Sequence, residues 1–190
     1  MNALKGAQAL EREHEVIQRA IAAVSVIADR AGQSGSIDSA LVPGICEFLR
    51  QYADMLHHAK EERSLFPLLE KRGVPASACS LAALRHEHDA GRALVSELSG
   101  IAESKEDEAR QHQELGSILQ KIVKLYIEHI RKEDYLLIPM AAKVVSMEDD
   151  EALVREFESV DASFGLSERR MSEDFVAQLE AQAAEGGAAT

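Results

Sequence analysis

Aromatic side chains make up only 4% of the 190 residues and tryptophan is missing, so a core has to be assembled from Leu, Ile, Val and Ala, a supply that favours helices. Cysteine is nearly absent. Cys46 and Cys79 stand alone and form neither a disulfide framework nor a CxxC redox or zinc pair, so both are expected as reduced structural thiols. A positive surplus is lacking too: 21 Lys+Arg against 33 Asp+Glu leave a formal charge of −12. With a pI near 5.0, no basic face is available for a phosphate backbone or an anionic bilayer, which excludes nucleic acid and membrane surfaces as expected partners. Long apolar runs are also missing, and the opening MNALKGAQAL lacks the continuous apolar stretch of a signal peptide, so the expected location is the cytoplasm. The length suits one domain with a sizeable core.

What is present is helical periodicity, with no long stretch alternating at period two. Helix A is expected over about 5–30, with the stripe Leu10, His14, Ile17, Ile21, Val24, Ala28, ending near Gly32. Helix B spans about 39–69 and carries Ile45, Leu49, Tyr52 and Leu56, with Pro43 either in its first turn or kinking it. Gly73 and Pro75 punctuate the next connection, and helix C covers roughly 77–103 with Leu81, Leu84, His88, Val95 and Leu98. Helix D occupies about 109–145, marked by Ile118, Ile122, Leu125, Tyr126, His129, Glu133, Leu137 and Met140. Ser146 followed by Asp149 resembles a capping arrangement for a shorter helix E over about 148–163. Four long amphipathic segments with short connections predict an all-α, up-down-up-down four-helix bundle with an extra C-terminal helix. The domain is expected to fill 1–165, with 166–190 a tail that is partly helical and then disordered.

Three of the seven histidines, His14, His88 and His129, replace apolar residues within core-facing stripes, where an ionisable ring needs a partner. His57 precedes Glu61 by four residues, as His129 precedes Glu133, which stacks each pair on one helix face. One such pair is weak evidence in so acidic a chain. Two in matching contexts are stronger: HHAKEERSLFPLL from His57 aligns without gaps on HIRKEDYLLIPMA from His129, an offset of 72 that superimposes Lys60 on Lys132, Glu61 on Glu133, Leu65 on Leu137 and Pro67 on Pro139. LEREHE from Leu10 repeats as LRHEHD from Leu84 with an offset of 74, placing His14 on His88, and Ile21 on Val95 and Val24 on Leu98 follow. The chain reads as a tandem duplication of a helix pair. Folding the two halves together converges His14, His57, Glu61, His88, His129 and Glu133. Four imidazoles and two carboxylates suit two borderline metal ions, with the carboxylates bridging; the absence of thiolates favours iron over a structural zinc site, with manganese or zinc as lesser fits.

At these segments the chain resembles the hemerythrin-like, or HHE cation-binding, family over roughly residues 8–145. The resemblance implies a four-helix bundle with a non-haem di-iron centre, oxo- or hydroxo-bridged, held by the same six residues. It implies a small diatomic or peroxide ligand and an activity among oxygen carriage, oxygen or iron sensing, repair of nitrosative damage and peroxide decomposition. Two departures bear on the choice. Oxygen carriers place a second histidine one turn after the helix C histidine, where this chain has Arg92, and an aspartate five residues after the helix D histidine, where Asp134 stands beside Glu133. One histidine fewer argues against reversible transport. No further acid, base or nucleophile marks the chain as an enzyme, and a sensor module whose tail or helix E contacts a protein partner is the alternative.

Outside the six, His58 is read as a surface ion pair with Glu62 four residues on, with a role as an additional ligand the competing reading, because the iron-sensing F-box relatives resemble it in carrying a carboxylate there. His86 and His112 are expected in solvent, Tyr52 and Tyr126 as buried hydrogen-bonded rings, and Pro67 and Pro139 as kinks or stops beyond the ligand turn.

Overall fold

The structure is a computed structural model and describes residues 4–34, 37–75, 81–104 and 108–185. Helix α1 is Lys5–Ser34. After a 3-10 turn at Ser39–Leu41, α2 runs from Val42 to Lys71, π-helical over Leu49–His58 and Glu61–Leu65 and α-helical at its two ends. Helix α3 is Leu81–Ala102, and α4 runs from Glu108 through a π turn at Glu133–Leu137 to Val144. Helix α5 is Met147–Phe164 and α6 Leu166–Glu185. The first four form the expected bundle, α1 packing on α4 and α3 on both α4 and α2.

The turn chemistry at the helix ends follows the sequence. Gly73 takes φ of 85° just past α2, its N–H donating to Glu70 O while that of Val74 donates to Leu69 O, a Schellman closure that returns the chain toward α3. Ser146 and Asp149 form the anticipated capping box on α5. Asp150 on that helix accepts from the free backbone N–H groups of Lys5 and Gly6 at 2.8 and 2.9 Å, so α5 also caps α1.

Pro67 and Pro139 neither stop nor break their helices. A π turn precedes each: Phe66 N–H donates to Glu61 O and Ile138 N–H to Glu133 O, five residues back. The widened turn admits a ring that has no N–H to donate and would press on the carbonyl four residues earlier. The two π turns begin at equivalent glutamates of the repeat, so the duplication is written in the backbone as well as in the side chains.

Beyond Gly165, which bends the chain at φ of 94°, the tail is one continuous helix over its described length, where a partly helical segment was expected. It buries Val176 and Leu179 against the bundle, and Arg19 on α1 holds Glu180 in a two-point pair at 2.8 and 2.6 Å. Residues 186–190, expected to be disordered, lie outside the described residues, as does Cys79. Cys46 is buried and unpaired, as a structural thiol should be.

The apolar core is split. One cluster includes Ile17, Ile21, Leu56, Val95, Leu98, Tyr126 and Ile130; the other includes Leu10, Leu65, Phe66, Leu84, Leu137, Leu153 and Phe157. On every helix of the bundle the boundary between the two falls at the candidate ligands.

Candidate metal centre

The polar layer between the two clusters contains the six side chains singled out by the repeat, and all are buried, Glu61 and Glu133 completely. Each helix contributes at the position its stripe dictates, and facing helices bring the imidazoles together in pairs. His14 Nε2 lies 3.1 Å from His57 Nε2, and His88 Nε2 lies 3.1 Å from His129 Nε2. Glu133 reaches both pairs, Oε2 standing 3.1 Å from His14 Nε2 and Oε1 3.0 Å from His129 Nε2. Glu61 Oε2 lies 3.4 Å from His88 Nε2 and 4.0 Å from His57 Nε2. One ligand atom from each of His14, His57, Glu61 and Glu133 falls within a 4.8 Å group, and so does one from each of Glu61, His88, His129 and Glu133. Both carboxylates are common to the two groups.

None of the four carboxylate oxygens of Glu61 and Glu133 has a hydrogen-bond partner. The imidazole nitrogens nearby approach closely without the alignment of a hydrogen bond. Buried carboxylate oxygens left so are rare in folded proteins, and one or two cations among these eight or more donor atoms would satisfy them. The residues present therefore fit a metal.

Behind every imidazole stands a carboxylate. Nδ1 of His14 pairs with Asp134 at 2.6 Å, that of His57 with Glu13 at 3.3 Å, that of His88 with Glu62 at 2.6 Å, and that of His129 with Glu87 at 3.0 Å. Such partners fix the tautomer, so that Nε2 presents its lone pair inward, and raise the ring's basicity. Lys60 donates to Glu13 at 2.5 Å, and Lys132 donates to Glu87. These partners obey the repeat: Glu13 superimposes on Glu87, Glu62 on Asp134, Lys60 on Lys132. Glu13, Glu87 and Glu62 escape a search for core-facing residues because they flank the stripes, although their coincidence in the aligned strings was a readable signal. Asp134, weighed as a ligand by resemblance, is a partner of one.

Without a cation the site holds protons. Burial works against a charged His14, yet Asp134 and Glu133 outweigh it and raise its pKa to about 10. Against the same burial, Glu133, Glu61 and Glu62 raise His88 to about 11, and Glu133 with Glu87 raises His129 to about 9. His57 is raised in the same way by Glu13 and Glu133, while Glu13, buried but paired with His57 and Lys60, falls to about 2. Glu133 is held well below the usual carboxylate range by His129, His14 and His57 despite its burial. The imidazolium charges offset that of Glu133 as a metal's would.

His58 corrects one expectation. It is buried, not a surface pair with Glu62: Asp54 lies 3.3 Å from its Nδ1, its ring stacks 3.7 Å from that of His88, and Glu62 belongs to His88 and Arg92. Burial, with the neighbouring imidazoles, lowers its pKa to about 3. One atom of His58 joins His88 and His129 in a third group that can hold an ion. His86 is exposed as expected, but His112 is half-buried. Tyr52 and Tyr126 are buried, neither with a side-chain hydrogen bond among the described residues; Tyr52 instead stacks 5.4 Å from Phe48 beneath the Arg169 guanidinium at 5.8 Å.

Fold and site together define a helical-bundle protein whose central His/Glu cluster can hold metal. The family model described as the hemerythrin HHE cation binding domain matches residues 5–141, and the chain belongs to that family. The match ends within α4, so α5 and α6 lie beyond it. Neither the curated proteins nor the solved structures gave a match. Among the described residues, no helix is long and apolar enough to cross a membrane.

Proposed function

We propose that this chain holds two iron ions and binds, senses or reacts with dioxygen, nitric oxide or hydrogen peroxide in the cytoplasm. The observation that carries this reading is the set of four carboxylate oxygens of Glu61 and Glu133 that lie between two imidazole pairs without a hydrogen-bond partner. His14 and His57 would hold one ion, His88 and His129 the other, and the two glutamates would bridge. Mixed N/O donors without thiolate suit iron, then manganese, ahead of a structural zinc. When bound, such a pair of ions supplies two adjacent redox-active centres able to exchange electrons with a small oxygen or nitrogen ligand. The chain itself orients the rings through the carboxylates behind them and keeps water out with an apolar cluster on either side. Metal analysis of aerobically purified, iron-supplemented protein, with optical spectra before and after reduction, tests this. About two irons per chain are expected, and one or none defeats the binuclear reading.

A metal-dependent sensor without turnover has its own support. Asp161 on α5 and Arg169 on α6 share contacts with Lys60 and Glu13, directly behind His57. Metal arrival at His57 could thus be felt in the two C-terminal helices. Chelation would then raise amide exchange in α5 and α6 while peroxide and nitric oxide turnover stayed negligible; unchanged exchange there excludes it.

A further inference from the structure

The two halves of the repeat differ beside their imidazole pairs. At the offset that places His14 on His88, Ile17 falls on Gly91. Ile17 is 1% exposed and fills the core next to the first pair, whereas Gly91 borders a cavity of about 160 Å³ next to the second. Nothing local requires glycine there. Gly91 is not among the residues with positive φ, and an added Cβ would meet nothing nearer than Leu125 and the Tyr126 hydroxyl at 3.7 Å, an ordinary van der Waals distance. Glycine is among the least favourable residues inside a helix. What it achieves here is an open space.

That space connects the surface to the centre. Its inner end is formed by His58 and His88, its walls by Leu49, Val95 and Tyr126, and its outer end by Arg50, Asp54 and Arg92. Arg92, at the position where the oxygen carriers have their extra histidine, turns outward and pairs with Asp54 at 2.8 Å, Glu62 at 2.8 Å and Asp89 at 2.9 Å. Of these three carboxylates only Asp54 lines the mouth, beside Arg50 and Arg92. The Tyr126 hydroxyl makes no side-chain hydrogen bond among the described residues, so its proton is free for a guest. In the first half the equivalent positions are filled, Ile17 standing for Gly91 and Ile130 for His58, both buried.

We infer that this cavity is the entry port for a small neutral molecule, a diatomic or hydrogen peroxide, delivered to the His88–His129 side of the centre, with Tyr126 as its hydrogen-bond donor. The inference rests on the metal reading above. Apolar walls disfavour a charged guest, and a volume of about 160 Å³ admits only a small one.

Nitric oxide association with the reduced, iron-loaded full chain, followed by stopped-flow absorbance, tests the port. Gly91→Ile, which copies the first half, should retain iron and the resting spectrum but slow association tenfold or more, with Gly91→Ala between it and the wild type. Tyr126→Phe should release nitric oxide several-fold faster; an unchanged release rate overturns the donor role. A wild-type association rate in iron-loaded Gly91→Ile overturns the port, whereas a wild-type chain that takes up no iron defeats the metal reading instead. A second measurement needs neither variant nor metal. Crystals of the full chain under xenon pressure should show xenon between Leu49, Val95 and Tyr126, and an empty cavity there overturns the proposal.

Discussion

Lys60 and Lys132 occupy equivalent places in the repeat and hold equivalent glutamates, yet Lys60 is 1% exposed and Lys132 41%. Helices α5 and α6 pack mainly on the first half, where Asp161 supplies Lys60 with a second carboxylate at 2.6 Å. The duplicated site is therefore symmetric at its ligands and asymmetric in its surroundings.

That difference should appear in stability. Lys60→Ala leaves the buried Glu13 short of a cation and is expected to cost about 3 kcal/mol, the order seen when one member of a buried pair is removed. Lys132→Ala removes a partly exposed contact and should cost less than about 1 kcal/mol. Urea unfolding of both variants measures the contrast; equal losses would show that the C-terminal cover does not matter energetically.

The metal-free protein should be most stable near neutral pH. His129, His14 and His88 have folded pKa values of about 9, 10 and 11, above the roughly 6.5 of an unfolded histidine. Their stabilisation is complete below pH ~6.5 and is lost as pH rises through those values. On the acid side, Glu13, lowered to about 2, contributes above its unfolded pKa and loses that contribution as pH falls toward 2. His58, at about 3, resists protonation in the fold and so destabilises it as pH falls below ~6.5. Denaturation curves of the metal-free chain from about pH 2 to about pH 11 check the sign on each side, and metal loading should flatten the alkaline limb because the imidazole protons have left.

Those protons should be countable. Loading metal at pH 7 is expected to release protons from His14, His88 and His129, and apparent affinity should rise with pH. Titration with ferrous iron in two buffers of different ionisation enthalpy reads the number released. No release would mean that the imidazoles are not the ligands.

Carboxylates behind the rings should tune the centre without holding it. Asp134→Asn and Glu62→Gln are expected to lower metal affinity by about 10- to 100-fold, with stoichiometry retained at high metal. Glu61→Gln with Glu133→Gln should abolish binding of the pair. If the double variant kept its full metal content, the glutamates would not be ligands.

The helices, their apolar faces and the six inward residues were legible from the sequence because a period of 3.6 assigns side chains to faces within each helix, and a duplicated string reveals which polar intrusions belong together. Local chemistry likewise foretold the turn at Gly73 and the cap at Ser146. Other features depend on how one helix registers against another. Periodicity does not say that Asp134 lies across from His14 or Glu62 across from His88, that a π turn carries α2 and α4 past their prolines, or that His58 is roofed by α3 rather than left in water. Nor could the tail's weak amphipathic signal announce a helix that packs mainly on one half of the repeat. Periodicity within the chain chose the ligands; packing between helices chose their partners and made two similar halves unequal.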